Sequence, residues 1–412
     1  MKEKFNNRIR KIFFIMTIIG PGLITVNAGN DAGGIATYAS VGASYGYKML
    51  WGLLLITFSL AVVQEMNARM AVVTGKGLSD LIREKFGVKW TLFAMIVLFI
   101  ANFGVVLGDF AGVAASMELF GVSKYISVPI VALIIWLLVT KGSYGKVEKV
   151  FLLFTFVFFG YIISAFMVKP DWGNVFQSMV TPTLTMETGF LLTFIGMIGT
   201  TITPYMQFYL QSAIVDKKLS IKDYKYEKMD VYIGAFWGDA VSFFIIVCTA
   251  ATLYKAGIAV TSAQSAALAL KPLAGDYAFI LFGAGLFGAS VLAAAIIPLS
   301  TSYAICEAFG WESGVDCTYQ EAPAFFTIYS TIILVSSLLI LLPGLSLIGI
   351  IIVTQQIAGF LSPFILIFMT ILVNDKKIMG KYVNTRTQNI VSISTVVFIG
   401  SLSMILFVSQ FI

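Results

Sequence analysis

The chain contains no histidine and only 3 cysteines in 412 residues. Without imidazole it lacks the usual zinc ligand and the usual general base near neutral pH, and three thiols cannot build a disulfide framework. A secreted scaffold and a histidine-dependent hydrolase are excluded. Charge is scarce too: Asp, Glu, Lys and Arg make up 12% of the sequence, against roughly 25% in soluble domains. A folded surface meets water through polar groups, so a chain this poor in charge and 58% hydrophobic must have lipid as its main solvent. Cys248 and Cys306 read as packing residues, and Cys317 as a reduced thiol in a cytoplasmic loop.

What is present is a series of apolar runs. A bilayer core about 30 Å thick needs ~20 apolar residues per helix, and eleven such runs lie near 12–41, 47–69, 90–118, 126–140, 149–168, 187–214, 230–254, 276–308, 323–342, 345–373 and 390–411. They predict an all-α polytopic membrane protein with one transmembrane domain over residues 1–412, a basic tail at 1–11 and an amphipathic connector at 78–89. With the N-terminus cytoplasmic and the C-terminus extracellular, the inner side holds 22 of the 27 Lys and Arg, leaving Lys48, Lys124, Lys169, Lys255 and Lys271 outside. This asymmetry follows the positive-inside rule and places a multi-pass protein in the plasma membrane. The net charge of +6 is thus an orientation signal, and cations dispersed over separate loops argue against a nucleic-acid partner. The partners expected are the lipid bilayer and a small cation, with the chain acting as a monomer. A signal-peptide reading of the first run fails because apolar sequence resumes beyond Gly34 and ten further spans need an inserted first helix.

Two spans are poor helices. The first carries Asn27-Ala28-Gly29-Asn30-Asp31-Ala32-Gly33-Gly34 at its middle, and the sixth carries Gly196, Gly199, Thr200, Thr201, Thr203 and Pro204. Glycine frees the backbone, proline removes a helical hydrogen bond, and unwound backbone at membrane depth survives only where it faces protein or a wet cavity. Interruptions five spans apart predict an inverted repeat, 12–168 against 187–373, with 390–411 appended and a substrate site at the midplane. The intramembrane charges are nearly all acids: Asp31, Glu65, Asp109, Asp239 and Glu307, with Arg69 as the one nearby cation. An Asp at a helix centre costs ~2.5–3.5 kcal/mol. Protonation, hydration or a cationic substrate offsets that, and Asp31 in the break is the foremost candidate. Glu65 has a plainer reading as the i,i+4 partner of Arg69. Carboxylate, amide, hydroxyl and carbonyl oxygens suit hard Mg²⁺, Ca²⁺ or Mn²⁺. No nucleophile and base pair suggests an enzyme, and the cation is cargo rather than cofactor.

The run Gly20-Pro21-Gly22, Asp31-Ala32-Gly33-Gly34, Ala36-Thr37, Gly46-Tyr47 and Leu50-Trp51, continued by Gln64, Ala68-Arg69 and Val73-Thr74-Gly75, resembles the NRAMP (natural resistance-associated macrophage protein) divalent-metal transporters. The resemblance implies a LeuT-type 5+5 inverted repeat with spans 1 and 6 broken, carrying Mn²⁺ or Fe²⁺ with protons. Where the family has Asp-Pro-Gly-Asn this chain has Asp31-Ala32-Gly33-Gly34, and for Met-Pro-His it has Thr203-Pro204-Tyr205. The third-span acids of the family are matched to Asn102 and Val105. These departures resemble the NRAMP-related magnesium transporters and imply a wider, sulfur-free site that takes Mg²⁺ and Mn²⁺ without proton coupling. The carried-over metal ligands are the Asp31 carboxylate, the Ala28 and Thr200 carbonyls, the Thr203 hydroxyl, Asp239 and Gln355, with Gly34 leaving room for water. Two other functions stay open: a proton-coupled Mn²⁺/Fe²⁺ symporter, and a Na⁺-coupled organic-solute symporter.

Overall fold

The computed structural model describes Gly22, Thr25 and residues 29–140, 159–315 and 317–409. Its elements are helical throughout: α1 (Ala32–Tyr45), α2 (Leu50–Thr74), α3 (Leu78–Leu119), α4 (Lys124–Thr140), α5 (Phe159–Met167), α6 (Trp172–Val180), α7 (Thr188–Thr201), α8 (Pro204–Asp216), α9 (Tyr224–Thr249), α10 (Ala278–Phe309), α11 (Pro323–Ile340), α12 (Leu347–Asn374) and α13 (Arg386–Ser409). Among the described residues, 8 helical stretches are long and apolar enough to cross a membrane. Span by span they follow the runs read from hydropathy. The inner part of the first span is described only at Gly22, Thr25 and Gly29, each helical, and most of the fifth lies outside the described residues.

Both interruptions are present, and both are short. Gly29 is helical, Asn30 and Asp31 form a bend, and α1 starts at Ala32. The expected unwinding through Gly34 stops early because Asp31 caps the new helix: its carboxylate accepts the Gly34 N–H. An N-cap side chain of this kind satisfies one of the donors that a helix start leaves over. In the sixth span α7 ends at Thr201, Ile202 and Thr203 are non-helical, and Pro204 opens α8 at a first-turn position where its missing N–H costs nothing. The connector forms a helix that Gly87 divides from the spanning part of α3 by a left-handed residue, φ 75°.

The helices pack in two groups. α9 lies against α1 and α2, with α8 also on α2, while α3 packs along α10 and α12. α12 also closes on α7 through facing glycines. A Cβ on Gly199 would fall 2.0 Å from the Gln355 carbonyl oxygen, and one on Gly359 2.3 Å from that of Ile195. The close approach brings Gln355 to the second break.

The end that carries the basic loops is held by polar contacts. Glu65 and Arg69 form a buried ion pair at 3.1 Å. Arg69 also donates to the Tyr382 carbonyl at 2.9 Å and to Asn384, and Glu65 accepts from Tyr224 and, at 2.7 Å, from Gln388. The plainer reading of Glu65 is the one observed. This network docks the start of α13 onto α2, away from the breaks.

Candidate metal-ion site

The two breaks face each other. Asp31 Oδ1 accepts from Gly34 N at 2.8 Å, so the carboxylate sits on the positive end of α1, where a helix terminus favours negative charge. Above Gly33 lies the Gln355 amide: a Cβ there would meet Nε2 at 1.8 Å and Asp31 Oδ1 at 2.9 Å. Gln355 Nε2 has no hydrogen-bond partner. Because the amide presents either its nitrogen or its oxygen by rotation, the side chain can turn an acceptor toward a cation beside Asp31. A Cβ on Gly34 would lie 2.9 Å from the Gly29 carbonyl oxygen and 3.5 Å from Thr200 Oγ1. Carboxylate, amide, carbonyl and hydroxyl oxygens from three separate stretches of chain therefore converge.

Several placements differ from expectation. Ala28 lies outside the described residues, and the carbonyl found at the first break is that of Gly29. Thr200 faces Gly34 with its hydroxyl, which has no partner, while its carbonyl accepts from Thr203 Oγ1 at 3.1 Å. The Thr203 hydroxyl also reaches the Gly199 carbonyl at 2.9 Å. Thr203 thus back-bonds into the end of α7, stabilising the break, and retains lone pairs for a ligand. The space left by Gly34 is taken up by Gly29 and Thr200 in this arrangement. Asp31, Thr200, Thr203 and Gln355 are each at most 3% exposed, so the site is closed to both faces.

Asp239 stands apart from this cluster. It lies beside Thr57 and Tyr38, and the Tyr38 hydroxyl, in the field of both Asp239 and Asp31, is bonded to Thr201 Oγ1 at 2.7 Å. Asp239 is thus in the surrounding shell, on the α2–α9 side. One turn on, Ser242 approaches Asn30 Oδ1 at 3.5 Å.

Three residues absent from the expected ligand set belong to the neighbourhood. Asp109 on α3 reaches the Ala32 backbone and the field of Asp31. It is fully buried, and neither carboxylate oxygen has a hydrogen-bond partner. The equally buried and unpartnered Tyr205 hydroxyl faces both acids. Asn102, matched to a family acid from the sequence, instead bonds Thr301 at 2.7 Å, and Val105 is in the core. The acid that α3 brings to the breaks is Asp109, two turns further along. Its position as an unpaired acid was legible, but its facing was not. The third residue is Met206, whose methyl occupies the space over Gly29: a Cβ there would lie 2.0 Å from Cε and 3.7 Å from Sδ. A thioether therefore stands near the first break although Thr203 carries none. Among the described residues no three acids are close enough together to chelate a metal by themselves.

Two interrupted helices facing each other around a buried carboxylate are the mark of a secondary transporter of the inverted-repeat kind. The family description Natural resistance-associated macrophage protein-like matches residues 22–409. The chain belongs to the Nramp family, whose members are transporters and not enzymes and carry metal as substrate without a cofactor. A relative in Bacillus subtilis named divalent metal cation transporter MntH is 25% identical over 423 residues, covering 100% of this chain and 96% of its own length. The protein of the same name in Erwinia tasmaniensis is 27% identical, covering 92% and 90%. In solved structures, the Eremococcus coleocola manganese transporter superposes with a TM-score of 0.76 at 19% identity, covering 96% of this chain and 87% of that one. A nucleobase-cation-symport-1 family transporter in a closed conformation gives 0.54 at 13% identity, covering 94% and 92%. These two likenesses show the LeuT-like fold.

Proposed function

We propose that this protein carries the divalent cations Mg²⁺ and Mn²⁺ across the plasma membrane by alternating access, as a monomer with the basic end cytoplasmic and the C-terminus extracellular. The observation that carries the reading is Asp31: a buried carboxylate at the helix break, ringed by the Gly29 carbonyl, Thr200 hydroxyl and Gln355 amide, two of which have unpaired polar atoms. Relatives named for divalent metal cation transport support the charge class. Oxygen ligands favour hard ions, and Mg²⁺ keeps several waters when bound by few carboxylates. The membrane potential favours entry by ~2.3 kcal/mol per charge per 100 mV, which suffices to drive uptake without a coupled proton.

A second reading, proton-coupled Mn²⁺ symport, is favoured by Asp109 and Tyr205 beside Asp31, since an unpaired buried acid next to the ion site is a ready proton carrier. A Na⁺-coupled organic-solute symporter is disfavoured because the Asp31 carboxylate already occupies the α1 N-terminus that would hold a substrate carboxylate. The deciding experiment is flux into vesicles holding purified protein, with Mg²⁺, Mn²⁺ and Ca²⁺ compared and an internal pH dye present. Mg²⁺ entry without acidification supports the first reading. Acidification that tracks Mn²⁺ entry, with no Mg²⁺ flux, replaces it by the second.

A further inference from the structure

A second group of acids meets at the basic end, away from Asp31. Glu307 in the last turn of α10 lays its carboxylate on the Gly77 backbone, where a Cβ would fall 1.7 Å from Oε1 and 2.3 Å from Oε2. Asp80, at the start of α3, lies beside Glu307, so two carboxyl groups are in contact. Asp216, the last residue of α8, is the next acid in the field of Glu307, and it lines a cavity of about 230 Å³ with Ser212 and Ser300. No ion pair to Asp80 or Glu307 exists among the described residues: Lys76 pairs with Glu84 at 2.5 Å, and Arg83 donates to the Ala308 carbonyl at 2.5 Å.

Two buried polar side chains border this group with atoms unspent. Gln211 is fully buried; its Nε2 donates to the Lys76 carbonyl at 2.9 Å, beside Gly77, and its Oε1 accepts nothing. Ser79 is also fully buried, and its hydroxyl faces Glu307 without completing a hydrogen bond. Glu307 Oε2 is likewise unpartnered. Contacting carboxyl groups backed by unspent oxygens, with Lys76 in the field of Asp80 but engaged by Glu84, are arranged for a small hard cation. Three-carboxylate chelation is not needed, because such an ion is commonly held by one or two carboxylates and retains its waters.

We propose that Asp80 and Glu307, with Gln211 Oε1 and the Ser79 hydroxyl, form a second divalent-cation site at the basic end of the bundle. Its place on the transport path follows from α8: Thr203 at the break, Gln207 and Gln211 stand at i, i+4 and i+8, one face of a helix. Gln207 donates to the Thr203 carbonyl at 3.3 Å and accepts from Asn67 at 2.6 Å. A polar stripe thus runs from the Asp31 site to this one. The second site is a station between the midplane and the basic face.

The test is equilibrium binding of Mn²⁺, followed by its electron paramagnetic resonance signal up to millimolar concentration, to the purified full-length protein. Two equivalents are expected for the wild type and one for Glu307→Gln. Asp31→Asn should also leave one, and the double variant none. Asp80→Asn serves as the second variant if Glu307→Gln is not monodisperse, with the same loss of one equivalent. Unchanged stoichiometry in a well-folded Glu307→Gln or Asp80→Asn protein overturns the proposal. Loss of one equivalent there while Asp31→Asn keeps both would uphold this site and remove the Asp31 assignment instead.

Discussion

Replacing Asp31 by Asn separates the two tasks of its carboxylate. As the cap of α1 it accepts the Gly34 N–H at 2.8 Å. Asn performs that task about as well, so Asp31→Asn should keep the melting temperature, whereas Asp31→Ala should lose the cap, costing ~1 kcal/mol. As an ion ligand the carboxylate is irreplaceable by an amide. Two unit charges ~4 Å apart at an effective dielectric of about 20 interact by ~4 kcal/mol, and a divalent ion doubles this to ~8. If dehydration of ion and carboxylate offsets two-thirds, ~2.7 kcal/mol survives, or roughly a 100-fold weaker affinity without the charge. Mn²⁺ titration of the purified protein alongside thermal unfolding reads both quantities. An Asp31→Asn protein that still binds as many equivalents as wild type, each within threefold of its wild-type affinity and at unchanged stability, would refute the placement of the cation at the break.

Four further outcomes are expected. Thr203→Met should raise the Mn²⁺ to Mg²⁺ transport ratio several-fold, because thioether sulfur prefers transition metals; competition uptake measures this. Met206→Leu, nearly volume-conserving, should leave that ratio within twofold, and a tenfold fall in Mn²⁺ preference would put the Met206 sulfur among the ligands. Asp109→Asn should leave Mg²⁺ flux intact if transport is uncoupled, and abolition of metal-dependent acidification by this change would instead identify Asp109 as the proton carrier. Arg69→Gln should destabilise by ~3–5 kcal/mol, the scale for leaving one member of a buried ion pair unpaired, and a thermal shift assay would show it as early unfolding.

The described spans, their order and the two interruptions were legible in the sequence. Each depends on local properties: the length of an apolar run, glycine and proline inside it, and an acid that lipid cannot solvate. The Glu65–Arg69 pair was equally local, being one helical turn apart. How far each break extends was not so local, because Asp31 ends the first one by capping Ala32–Tyr45, and whether Thr200 offers a carbonyl or a hydroxyl depends on the Thr203 back-bond across the second.

Sequence alone therefore determined that this chain lives in lipid, that spans 1 and 6 are broken, and that Asp31 is the acid at the first break. Hydropathy and helix-breaking act over a few neighbouring residues. Only tertiary structure decided the company Asp31 keeps: Gln355 reaches it because Gly199 and Gly359 let two helices touch, Asp109 because α3 turns that face inward, and Met206 because Gly29 leaves a methyl-sized gap. Those meetings join residues far apart in the chain, and their rotation about a helix axis is fixed by packing that no single segment encodes.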